Sequence, residues 1–181
     1  MPELSGILPA VKSMKEFDKL LESDHKYIIL LETRLSQLPS MASYARKANK
    51  KLIVHVDLVQ GLKTDEYGME FLIRVIKVDG IISTRGNAIA IAKKNNLIAI
   101  QRLFLLDSHA LEHNLKIINN VQPDYIEVLP GLIPKIIQEV NRATNIPVIA
   151  GGLIRNEEDI EAAYEGGAIA VTTSNHSLVW E

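Results

Sequence analysis

Residues 146–174 read IPVIAGGLIRNEEDIEAAYEGGAIAVTTS, and this stretch decides how the rest of the chain is understood. Positions 147–150 are a short apolar run rich in branched residues, the pattern of a strand covered on both faces. Gly151 and Gly152 let the backbone turn sharply and bring its N–H groups close to a ligand. Asn156 then caps a helix whose first turn carries Glu157, Glu158 and Asp159, where carboxylates suit the positive end of the helix dipole. Gly166 and Gly167 end that helix, and 168–171 form a second buried strand opening on Thr172, Thr173, Ser174 and Asn175. In an eight-fold strand–helix barrel, such glycines and hydroxyls in the last two loops build a phosphate site. Paired glycines are also ordinary turn chemistry, so the phosphate assignment depends on six strand–helix units lying upstream.

The upstream sequence supplies them. Strands are expected at 7–11, 27–31, 52–59, 80–83, 97–101 and 125–128. Ser13 with Glu16 makes a capping box for the first helix, and Pro39 sits in the first turn of the second. Thr64 caps a third helix running through Lys77, and Asp107 or Ser108 caps the fifth. After Ser174 only enough chain remains for a last helix of two turns at most. Strict alternation implies a parallel sheet. An open doubly wound sheet is the alternative; the even spacing and the polar residues at strand ends favour closure. The expected fold is a compact parallel (β/α) barrel, TIM-barrel-like, with a truncated last helix, in a single domain over 1–181.

At 181 residues such a barrel is pared down, with short loops. Twenty basic and 22 acidic residues give a net charge of −2, no overall signal for nucleic acid. The absence of cysteine removes disulfides and thiolate metal sites. The first residues begin no signal peptide and no apolar run approaches a membrane span, so a cytoplasmic protein without membrane contact is expected.

Ligand chemistry in a barrel sits at the C-terminal strand ends. Here those ends offer Lys12, Glu32, Asp57, Arg85, Arg102 and Glu127, then Gly151 and Gly152, then Thr173, Ser174 and Asn175. Gly151, Gly152, Thr173, Ser174 and Asn175 are the candidate phosphate group. Lys12, Glu32, Asp57, Arg85, Arg102 and Glu127 are candidates for the polyol end of a ligand or for its counter-charges. Charges so placed also form ion-pair networks that plug a barrel, which competes for every one of them. His55, two residues before Asp57 and on the same face of its expected strand, is read as an interior hydrogen-bonding residue. His109 and His113 have helical spacing but no third ligand, so no metal site is expected. Carboxylates beside Lys12 would suit an isomerase or aldolase acting on a small phosphorylated polyol or triose, although the short loops leave little for a lid and no nucleophile–base motif is visible. Spacing alone leaves enzyme and sensor open.

Longer phrases carry more information. ILPAVKS (7–13), LIVHVDLVQGLKTDEYG (52–68), GIISTRG (80–86), LIAIQRLFLLD (97–107), PDYIEVLPGLIP (123–134), PVIAGGLIRNEEDI (147–160), AVTTSN (170–175) and the terminal Leu178-Val179-Trp180 resemble the glycerol uptake operon antiterminator regulatory proteins over essentially the whole chain. The resemblance implies a barrel that is not an enzyme and uses no cofactor. It implies an effector, glycerol-3-phosphate, and an RNA partner, the leader messenger RNA of glycerol-utilisation operons, and leaves room for a homo-oligomer. The candidate RNA surface is the basic set Arg46, Lys47, Lys50, Lys51, Lys93 and Lys94, expected at helix C-termini on the barrel end away from the ligand. Lysines that merely complement helix dipoles look the same, and only Tyr44 is near for base stacking. Trp180 and Leu178 are expected to be buried, either closing the barrel wall where the last helix is short or packing against a second subunit.

Overall fold

The computed structural model describes residues 3–180. Eight parallel strands alternate with helices: β1 (Gly6–Val11), β2 (Tyr27–Leu30), β3 (Lys51–His55), β4 (Gly80–Ser83), β5 (Ile98–Phe104), β6 (Tyr125–Leu129), β7 (Val148–Gly151) and β8 (Ala168–Thr173). Between and after them come α1 (Met14–Leu21), α2 (Leu38–Lys47), α3 (Glu66–Glu70), α4 (Gly86–Lys94), α5 (Ser108–Val121), α6 (Pro134–Thr144), α7 (Glu157–Glu165) and α8 (His176–Trp180). The strands close into a barrel in the order β1-β8-β7-β6-β5-β4-β3-β2, as the alternation predicts. The chain falls into two compact units, Pro9–Ala99 and the remainder, up to Leu8 and from Ile100 on. No helix among the described residues is long and apolar enough to cross a membrane.

In the unit from Ile100 onward, register explains which side chains meet. Arg102 of β5 is paired with Glu127 of β6, Glu127 with Ile149 of β7, and Gly151 with Thr172 of β8. Side chains alternate along a strand, so these residues share one face. Leu103, Val128, Ala150 and Val171 take the other face, in a core with Ile118, Ile137, Val140 and Ala163 of α5, α6 and α7. Asn156 caps α7 by accepting from the Asp159 N–H, as expected. β5 is longer than expected, so Arg102 lies inside the strand rather than at its end.

In the unit Pro9–Ala99, the strand expected at 52–59 stops at His55. Val56–Leu58 forms a 3-10 turn, and Val59–Gln60 pairs instead with Thr33–Arg34 in a two-residue ladder. Asp57 therefore stands on a turn and does not share a strand face with His55. From that turn its carboxylate binds Ser83 and Thr84 at the end of β4. The third helix also differs. Asp65, not Thr64, is its N-cap, and after α3 the backbone widens into a π-helix, Phe71–Ile76, closed by Lys77 at φ 61°.

The last described helix spans five residues, and Leu178 and Trp180 are only partly buried, against expectation. One and a half turns cannot shield a whole indole. Leu178 packs on the core of its unit, and the Trp180 ring lies 5.7 Å from that of His176.

Candidate functional site

Glu127 is fully buried and both of its oxygens are engaged. Oε2 accepts from Arg102 Nε at 2.6 Å, and Oε1 accepts from Thr172 Oγ1 at 2.6 Å. Gly151 makes this possible: a Cβ there would lie 2.5 Å from Thr172 Oγ1 and 2.7 Å from Glu127 Oε1. Each oxygen of this carboxylate thus accepts one short bond, the one from Arg102 charge-assisted on both sides. Its geometry is that of a counter-charge for Arg102. Thr172, which completes the network, is absent from the candidate set. Its register opposite Gly151 is the signal, and register is not visible in a single sequence.

The two loops expected to hold phosphate are stitched together. Thr173 Oγ1 donates to the Ile154 carbonyl at 3.3 Å and accepts from the Asn175 N–H at 3.0 Å. Asn175 Nδ2 donates to the Arg155 carbonyl at 2.7 Å, and its Oδ1 accepts from Ser177. Gly152 and Leu153 both take left-handed backbone, φ 73° and 61°, which costs a leucine strain that a glycine escapes. Ser174 is exposed, and its hydroxyl has no partner among the described residues. Thr173 and Asn175 thus fix the loops; Gly151 is the buried last residue of β7, and Gly152 and the exposed Ser174 are the members of the set outside this stitching.

In the unit Pro9–Ala99, Asp57 is the organising residue. Its oxygens accept from Ser83 Oγ at 2.8 Å and from the Thr84 N–H and Oγ1 at 2.8 and 3.1 Å, with Arg85 Nε 3.8 Å away. Arg85 Nη1 donates to Thr64 Oγ1 at 2.9 Å, and Asn87 Nδ2 to the Thr64 carbonyl at 3.2 Å. Asp57, Thr64, Arg85 and Asn87, with Lys63 and Asp65, line a cavity of about 440 Å³. Lys12 and Glu32 form an exposed ion pair at 3.8 Å. Lys12 is neither desolvated nor crowded by another cation, the conditions that activate an amine for Schiff-base chemistry. Ser83 at the end of β4 and Thr84 just after it were the legible sign of Asp57's partners. His55 is buried on β3.

The basic set is partly tied to the protein itself. Arg46 Nη1 donates to the Ile76 carbonyl at 2.9 Å, and Lys50 Nζ to the Ser23 carbonyl. Lys51 opens β3 rather than ending a helix, and its ammonium meets Asp79 Oδ1 at 2.8 Å. The hydrogen bond and charge of Asp79 raise the Lys51 pKa above its ordinary value. Lys47, Lys93 and Lys94 lie in the last turns of α2 and α4. No group of three metal-ligating side chains occurs among the described residues.

Residues 7–180 match the family model described as "Glycerol-3-phosphate responsive antiterminator". A crystal structure of a glycerol uptake operon antiterminator regulatory protein from Listeria monocytogenes is 48% identical, covers 97% of this chain and 94% of its own, and superposes with a TM-score of 0.93. That of an antiterminator-related protein from Thermotoga maritima is 29% identical over 97% of this chain and 98% of its own, with a TM-score of 0.85. The uncharacterized protein YgcP of Escherichia coli is 33% identical, covering 96% of this chain and 91% of its own.

Proposed function

Since this chain belongs to the glycerol-3-phosphate responsive antiterminators, we propose that it binds glycerol-3-phosphate and then the leader messenger RNA of glycerol-utilisation genes, preventing premature termination in the cytoplasm. The observation that carries the reading is the extent of the family match, residues 7–180, which takes in every barrel strand from Ile7 onward. The family is one of regulators, not of enzymes. The geometry is consistent with that: Glu127 and Asp57 are occupied by neighbouring donors, and Lys12 is paired in solvent. Recognition requires no cofactor.

In this reading the phosphate rests on Gly151, Gly152 and the Ser174 hydroxyl, with Thr173 and Asn175 holding the two loops together. In the same unit, the Arg102–Glu127 pair would balance charge. Calorimetry is expected to give far tighter binding for glycerol-3-phosphate than for glycerol; equal affinities would exclude a phosphate contact. Ser174→Ala should weaken glycerol-3-phosphate about ten-fold or more, since a hydrogen bond to a charged group contributes about 1.5–3 kcal/mol. Filter binding with leader RNA, with and without glycerol-3-phosphate, tests the regulatory step. Turnover of triose phosphates would instead establish an enzyme.

A further inference from the structure

Within the unit Pro9–Ala99, the cations at the two ends of the strands differ in what they already hold. Arg46, Lys50 and Lys51 are bound to Ile76, Ser23 and Asp79. At the other ends of the same strands lies the cavity of about 440 Å³ that Asp57, Lys63, Thr64, Asp65, Arg85 and Asn87 help to line. That volume suits a ligand of nucleotide scale.

Asp57 takes the Ser83 and Thr84 donors, and one oxygen of Asp65 takes the Gly68 N–H at 2.9 Å as the cap of α3. The donors are used in part: Asn87 gives to the Thr64 carbonyl, and Arg85 is 3.8 Å from Asp57. Lys63 has no ion pair or hydrogen bond among the described residues. The Arg85 side chain remains 63% exposed after giving one N–H to Thr64. Such a cavity selects an anion with several acceptor oxygens, and a phosphate ester fits. Tyr67, two residues beyond Asp65, is 78% exposed. It belongs to the first turn of α3, the helix capped by the cavity residue Asp65, and exposed aromatics are what single-stranded nucleic acid stacks on.

Resting on the RNA reading proposed above, we infer that this cavity is where the single-stranded leader RNA docks, with a backbone phosphate between Lys63 and Arg85 and a neighbouring base against Tyr67. The proposal is carried by the cavity, the Lys63 ammonium and the exposed part of the Arg85 guanidinium. It places RNA on the same strand ends that carry ligand chemistry in barrels, not on the helix-end cluster.

The test is a filter-binding titration of the full chain with leader RNA over a range of salt concentrations, with glycerol-3-phosphate present throughout. Lys63→Ala should weaken binding and flatten the dependence of log K on log salt by roughly 0.7, one phosphate contact on a single strand. Tyr67→Ala should weaken binding about ten-fold and leave the salt slope unchanged, as lost stacking without lost charge requires. Lys47→Ala with Lys94→Ala should change neither quantity. Calorimetry with glycerol-3-phosphate should give wild-type affinity for Lys63→Ala and Tyr67→Ala. Leader binding at wild-type strength and slope in Lys63→Ala and Tyr67→Ala overturns the proposal while the regulatory reading stands. Loss of glycerol-3-phosphate affinity in Lys63→Ala, with or without an RNA effect, assigns the cavity to the effector and also overturns it. A wild-type chain that binds no leader RNA at low salt removes the RNA reading, and this proposal with it.

Discussion

Glu127→Ala is expected to destabilise the protein by about 3–5 kcal/mol in urea unfolding, because it strands the Arg102 guanidinium in the interior without its counter-charge. The side chain of Glu127 is 0% exposed and that of Arg102 only 9%, so water cannot take over the lost role. Thr172→Val gives the graded control. It removes one donor from Glu127 Oε1 and keeps the pair, so the cost should be about 1–3 kcal/mol. Gly151→Ala should resemble Glu127→Ala more than Thr172→Val, since its Cβ overlaps both partners of that hydrogen bond. If all three variants unfold at the wild-type urea midpoint, the network is ornamental to stability.

Gly68→Ala should also destabilise, against the direction of helix propensity. In a helix alanine is favoured over glycine by about 1 kcal/mol. Here the added Cβ would lie 1.8 Å from the Lys63 carbonyl oxygen and 3.0 Å from its carbon, both backbone atoms that cannot rotate away. Overpacking of this kind costs about 1–3 kcal/mol or more, so the balance is a net loss. The strain falls on the 63–65 segment, which lines the cavity, and on the cap between Asp65 and the Gly68 N–H. Urea unfolding should report the lowered midpoint, and the leader RNA titration a weaker complex. A stabilised variant would mean that the segment shifts freely and holds no fixed cavity wall.

Those two glycines mark what a single sequence reveals and what it hides. Alternation of apolar runs with capped helices was enough to predict the barrel, because each strand and each cap is a local event: Ser13 with Glu16, Asn156 and Asp107 all cap as expected. The strand-end residues were legible as a set, since a charge or hydroxyl that closes an apolar run marks the point where a buried strand reaches the barrel's end. Their pairing was not. Arg102 meets Glu127 because β5 and β6 lie in one particular register, and Asp57 meets Ser83 across 26 residues of chain. The expected strand at 52–59 failed for the same reason. Val56 and Val59 favour extension locally, but the Asp57 carboxylate gains more from β4's end than the ladder offers. Lys51 looked like a solvated helix-end lysine until Asp79, 28 residues on, came beside it.

The satisfied carboxylates have a further consequence for binding. Because Glu127 and Asp57 are held by the chain's own hydroxyl, N–H and guanidinium groups, the strand ends they occupy are set within the polypeptide before any ligand or partner arrives. Walls fixed in advance lower the ordering cost of whatever binds against them.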